Sequence, residues 1–127
     1  MARHWWVQGL TRAERHLDAH PDDARALYLA AVTYAELGRA DEARRAAERA
    51  LRLEPDDSIV AYNLSCMYAA LGEPDKAVDL LERGAAAGGV DYAWLEHDAS
   101  LDPLRGHPRF EALRARLSAH AAPPAAG

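Results

Sequence analysis

The chain has 127 residues, half of them hydrophobic but only 7% aromatic, with a formal net charge of −5. That length suits one domain with a real core, and the acidic balance argues against nucleic acid as a general partner, since phosphate binding needs a basic face. A single cysteine, Cys66, forms no internal disulfide and fits a reducing cytoplasm, no apolar run approaches the roughly 20 residues of a membrane span, and the opening Met-Ala-Arg-His-Trp-Trp lacks the apolar core of a signal peptide.

Alanine dominates the hydrophobic fraction and valine, isoleucine and threonine are sparse, so the elements are expected to be helices that pack closely. A first helix is predicted over about 7–19, with Trp5, Trp6, Leu10 and Leu17 on its apolar side. Over 23–37, Leu27, Ala30, Ala31, Tyr34 and Leu37 form one stripe at helical spacing, and Gly38 stops the helix. Asp41 is expected to help begin a third helix carrying Ala43, Ala46, Ala47, Ala50 and Leu51, closed by Pro55. A fourth carries Leu64, Tyr68 and Leu71 and stops at Gly72. Pro74 opens a fifth, where its missing N–H costs nothing, with Ala77, Val78, Leu80 and Leu81 inward. A sixth starts at Tyr92-Ala93-Trp94-Leu95 and is expected to break at Asp102-Pro103 and His107-Pro108. Pro108 opens a last helix with Phe110, Leu113 and Leu117, and the Ala/Pro-rich residues 120–127 read as a disordered tail.

The chain matches itself at a shift of 34 residues. Leu17 maps to Leu51, Pro21-Asp22-Asp23 to Pro55-Asp56-Asp57, and Tyr28, Tyr34, Leu37, Gly38 and Ala43 to Tyr62, Tyr68, Leu71, Gly72 and Ala77. A fixed period of this length signals a stacked helical repeat. With Leu27, Ala30-Ala31, Tyr34, Ala43, Ala47 and Pro55 in one unit, and Ala61, Leu64-Ser65, Tyr68, Ala77 and Leu81 in the next, the chain resembles the tetratricopeptide repeat family. Ala61 in place of a large residue and Gly88-Gly89 in place of the closing proline are departures.

The resemblance implies an all-α, right-handed solenoid of antiparallel helix pairs with a C-terminal capping helix. Residues 1–119 are expected to form one domain: a half repeat over 5–20, repeats over 24–57 and 58–91, and a cap over 92–119. The half repeat has only its second helix, so the face with Trp5, Trp6 and Leu10 is expected to lack a partner within the chain. Either the chain continues a larger array or pairs with another copy, or the tryptophans fold back and cap the end. The run DPLRGHPRFEAL from Asp102 to Leu113 resembles the "DP-x-L-x-x-x-PRF-x-x-L" close of bacterial arrays, which often follow cyclase, kinase or winged-helix regulator domains.

His97, Asp98, Ser100, Asp102, Arg105 and His107 crowd one segment and invite a catalytic reading. No nucleophile there is framed by a base and an orienting third group, so turn and capping roles are preferred and no enzyme is expected. His16 and His20 share a helix face at metal-chelating spacing, but no third ligand is specified by spacing, and neither metal nor cofactor is expected. Cys66, among Leu64, Met67 and Tyr68, reads as a packed thiol rather than a redox centre.

What the resemblance does imply is a groove lined by the first helix of each unit, holding a peptide or helix of a partner protein. Carried over by register, its residues are Arg25, Tyr28, Leu29 and Val32, then Ile59, Tyr62, Asn63 and Cys66, with Glu96 and His97 from the cap. Tyr28 and Tyr62 lie off the Tyr34/Tyr68 stripe; they either present polar-tipped rings for recognition or cover the groove floor against each other. Of the Lys/Asn set by which one subclass clamps a carboxylate, only Asn63 matches, so a mainly apolar partner is expected. The rival role is homodimerisation through Trp5, Trp6 and Leu10.

Overall fold

The computed structural model describes residues 2–120, with side chains described for 8–119. Within them lie seven α-helices, one 3-10 helix and no strand. These are α1 (Ala2–Ala19), α2 (Ala24–Glu36), α3 (Ala40–Leu53), α4 (Ser58–Ala70), α5 (Pro74–Ala86), α6 (Tyr92–His97), the 3-10 helix (Ala99–Leu104) and α7 (Pro108–His120). The chain is an all-α solenoid: α2 pairs with α3, α4 with α5, α2 lies against α4, and α4 meets the 3-10 helix. None of these helices is long and apolar enough to cross a membrane.

The repeat period is written into the helix starts. Asp23, Asp57 and Asp91, spaced by the repeat length, cap α2, α4 and α6. Each accepts first-turn amide hydrogens: Asp23 from Ala26 at 3.1 Å, Asp57 from Ile59 at 2.8 Å and Val60 at 3.1 Å, Asp91 from Ala93 at 3.1 Å. α3 starts without such a side-chain cap. Arg39 is its N-cap and makes no side-chain cap bond, while Asp41 and Glu42 lie inside the first turn, where their charge suits the helix dipole. The corners close alike: Arg39 N–H bonds Tyr34 O and Glu73 N–H bonds Tyr68 O, around Gly38 and Gly72 at φ +79° and +77°.

Small side chains set the spacing between helices. Ala30, Ala31, Ala43, Ala47, Ala50 and Ala77 are wholly buried, and Leu64, Val78 and Leu81 fill the space between. At the N-terminal end, Leu10 is buried and Leu17 half-buried. Leu10, on the face expected to be uncovered, is thus buried, α2 packs on α1, and the Tyr34 hydroxyl donates to Glu14 at 2.8 Å across that junction. Burial, then that carboxylate, push the Tyr34 phenol up to about 12. The side chains of Trp5 and Trp6 lie outside the described residues, as does the expected tail beyond residue 120.

The charge-rich segment 94–117 turns out to be a clasp. α6 ends at Asp98, earlier than the sequence suggested, and Pro103 sits inside the 3-10 helix rather than breaking a longer one. Asp98 caps that helix through the Ser100 amide at 2.9 Å. Arg105 bonds Asp102 at 2.9 Å and covers the carbonyls of Leu95 (3.0 Å) and Glu96 (3.1 Å) at the end of α6, with its guanidinium 5.9 Å from the Phe110 ring centre. His107 Nδ1 accepts the Arg109 amide at 3.2 Å while Nε2 bonds Asp75 at 2.8 Å. Arg109 reaches Asp79 at 2.7 Å and the Asp75 carbonyl at 3.1 Å, tying α7 to α5. Leu95, Leu101, Leu104 and Phe110 are wholly buried beneath.

Candidate functional site

Charge is sorted by helix. α4 carries no charged side chain and α2 only Arg25 and Glu36. α3 carries Asp41, Glu42, Arg44, Arg45, Glu48, Arg49 and Arg52, and α5 has Asp75, Lys76, Asp79, Glu82 and Arg83. A helix without charge is expected to be buried all round. α4 is not: Ile59 is 62% exposed, Trp94 of α6, which shares a cavity with it, is 45% exposed, and Leu29 on α2 is 47% exposed. Among the described residues the only other large hydrophobic so exposed is Leu53, at the end of α3.

Two adjoining cavities open on this face. One, of about 460 Å³, lies between Val32 and Glu36 of α2, Cys66 and Met67 of α4, and Ser100 and Pro103 of the 3-10 helix. The other, of about 280 Å³, lies between Ile59 and Trp94. They share Tyr62, Asn63 and Asp98. A third, of about 430 Å³, is lined by Arg25, Tyr28 and Ile59 among the capping aspartates Asp23 and Asp57.

Most groove residues named from the sequence thus meet these cavities, while Leu29, Glu96, His97 and Asn63 do not behave as expected. Tyr28 is only 9% exposed and belongs to the core cluster, so it forms floor rather than a presented ring. Leu29 is exposed but lines none of the three. Glu96 accepts from Tyr92 at 2.9 Å and from Arg114, facing α7 instead of the groove. His97 is exposed and lines none of them. Asn63 donates to Ile59 O at 2.8 Å, so the one match to a carboxylate clamp is turned onto its own helix.

The groove's acid is Asp98, which the sequence offered only within the polar cluster of 97–107 and not as a groove residue. Its carboxylate accepts the Tyr62 hydroxyl and the Ser100 amide. Burial works to raise its pKa, but those two bonds prevail and hold it below the usual 3.8. The same pair raises Tyr62, first by burial and then because the phenol donates to an anion. Burial, then the charge of Asp98, push the Cys66 thiol up to about 11. At neutral pH the site therefore holds a neutral phenol, a neutral thiol and an ionised carboxylate. The thiol is a poor nucleophile in this state, because its thiolate form is scarce.

The other histidine candidates have structural partners. His16 Nε2 lies 2.6 Å from Asp23 Oδ2, and the His16 and His20 rings are 4.8 Å apart. Among the described residues no group of three His, Cys, Asp or Glu is placed to hold a metal ion.

Residues 6–47 and 33–91 match a family model described as tetratricopeptide repeat. No curated protein matches the chain.

Proposed function

Because the chain belongs to the tetratricopeptide repeat family, whose members generally mediate protein–protein interaction, we propose that it binds a peptide or helical segment of a partner protein along the face of α2, α4 and α6. Stacked repeats of this kind make extended surfaces that suit such a role. The observation that carries the reading is the charge-free α4 with Ile59 open to solvent beside Trp94, over cavities that run past Tyr62 and Asn63. An isolated exposed leucine is ordinary, but two exposed large apolar side chains, Ile59 and Trp94, over two joined cavities support an interaction site. We place the chain as a scaffold or regulatory segment of a larger bacterial protein, acting in the cytoplasm. Self-association through α1 has less support, since Leu10 is already buried.

The test is selection of binders from a phage-displayed random peptide library, followed by titration against Ile59→Asp and Leu29→Asp. Both side chains are exposed, so circular dichroism should show the fold kept. Binding should weaken by about tenfold or more if these positions anchor the segment. Unchanged affinity in both variants overturns the groove assignment.

A further inference from the structure

Three places invite a further role. Cys66 is a half-buried thiol with a raised pKa and carries none alone. The cavity at Arg25 is walled by capping aspartates already engaged by amides or by His16. The third is the junction of the two joined cavities, where aromatic faces meet an ionised carboxylate.

We infer that the pocket between Tyr62, Trp94 and Asp98 takes a basic side chain of the bound segment, arginine before lysine, with apolar residues on its flank entering the neighbouring cavity between Val32, Met67 and Pro103. This rests on the groove reading above and adds the chemistry of its partner.

The Tyr62 and Trp94 rings lie 4.9 Å apart between centres and tilted by 59°, and they share the 280 Å³ cavity with Asp98 and Ile59. Trp94 is nearly half exposed, so its indole face has room for a flat cation, and indole is the strongest cation–π partner among side chains. Arginine's planar guanidinium can stack there while an N–H donates to a carboxylate, a geometry lysine's ammonium cannot copy. Asp98 uses one oxygen on Tyr62 and the other on Ser100 N–H, and a carboxylate offers about four acceptor positions in all. Its bonds keep it ionised.

The charges around the pocket agree. Glu36 lines the adjoining cavity and makes no ion pair among the described residues. Arg105 sits behind Asp98 but is committed to Asp102 and to the carbonyls of Leu95 and Glu96. Arg25 lines the separate cavity at the α2 end. The face is therefore apolar with a negative focus, which disfavours acidic segments and C-terminal carboxylates and favours a cation set among hydrophobic residues.

The experiment uses the 127-residue chain and peptides selected from the random library. Binders should share one Arg or Lys beside apolar residues. Replacing that Arg with citrulline, which keeps the shape and removes the charge, should weaken binding by about tenfold. In Asp98→Asn, which retains an oxygen acceptor for Tyr62, the wild-type-like peptide should already bind about tenfold more weakly, and citrulline should then cost little more. Binders that depend on Ile59 but carry no basic residue, or ignore Asp98→Asn, overturn this inference and leave the groove reading standing. Binders indifferent to Ile59→Asp, or none at all, overturn both.

Discussion

Tyr62 and Asp98, 36 residues apart in sequence, are joined directly: the phenol donates to the carboxylate, linking the middle of α4 to the hinge between α6 and the 3-10 helix. Nothing else in the site so plainly makes the cap part of the groove. The bond also predicts how stability should respond to pH. Tyr62→Phe keeps the ring against Trp94 and deletes only the donor. A hydrogen bond to a charged, partly exposed acceptor is worth about 1–2 kcal/mol, and that loss should show in urea unfolding at neutral pH. Asp98 has a lowered folded pKa, so its contribution is present above the unfolded value of 3.8 and fades as pH falls through the folded one. The gap between wild type and Tyr62→Phe should therefore narrow in acid. An equal gap at neutral and strongly acid pH would contradict the pairing.

Cys66 should be a slow thiol. Its pKa rises from 9.0 to about 11, and two units correspond to about a hundredfold less thiolate at pH 8. Reaction with a disulfide reagent should be slower than for free cysteine by roughly that factor and recover in guanidinium. Asp98→Asn should speed the native reaction, because the carboxylate's charge is the second cause of the shift. The raised Cys66 and Tyr34 values contribute stability that is complete below their unfolded pKa values, 9.0 and 10.0, and is lost as pH rises through the folded ones. Native reactivity matching a free thiol would remove the burial argument.

Three glycines should respond differently to alanine. At Gly89 an added Cβ would lie 1.9 Å from Ser58 Oγ and 2.1 Å from its Cβ, so the turn after α5 would have to move off the start of α4. At Gly84 the nearest atom is a Val90 methyl at 2.9 Å. Gly89→Ala should cost about 1–3 kcal/mol and Gly84→Ala less, because a side-chain tip can yield. Gly9, inside α1 with open space around it, should gain roughly 0.5–1 kcal/mol as alanine. Thermal melts of the three variants check the order. This also accounts for Gly88-Gly89 standing where the repeat pattern has a proline: Ser58 leaves no room for a side chain at position 89.

Arg105→Lys should loosen the clasp despite keeping the charge. One guanidinium serves Asp102 and the carbonyls of Leu95 and Glu96 at once, and an ammonium cannot span that fork. A loss of about 1–2 kcal/mol in urea unfolding is expected, together with faster amide exchange at the end of α6. If lysine proves neutral, the carbonyl contacts contribute nothing to stability.

The repeat was legible because it is local. Asp23 and Asp57, Gly38 and Gly72, and the alanine stripes recur at one spacing, and each acts within its own turn of chain. Asp91 kept the same register and could have been read as the third cap. The cap's part in the site was hidden because register stops being a guide there. Glu96 and His97 are the positions one period beyond Tyr62 and Asn63, yet Arg114 draws Glu96 toward α7, and α6 ends in time for Asp98 to reach Tyr62. The first depends on Arg114 of α7 and the second on where α6 ends, and neither is announced by distance along the chain. Tyr28 was left open between two roles for a related reason. Its spacing gives the helix face, but only the neighbouring helices decide how deep that face lies.

The stacking of each pair on its chain neighbours has a kinetic side. Three of the helix contacts close a short stretch of chain, α1 with α2, α2 with α3 and α4 with α5, while α2 on α4 and α4 on the 3-10 helix reach further along it. Little loop entropy must be surrendered before a contact forms, so the search for the native arrangement is brief and can begin at more than one place. The same locality lets the array open from an end while its middle holds. The clasp at Arg105 and Arg109 is where that opening is resisted, which makes the terminal segment a governor of lifetime as well as a lid on the core.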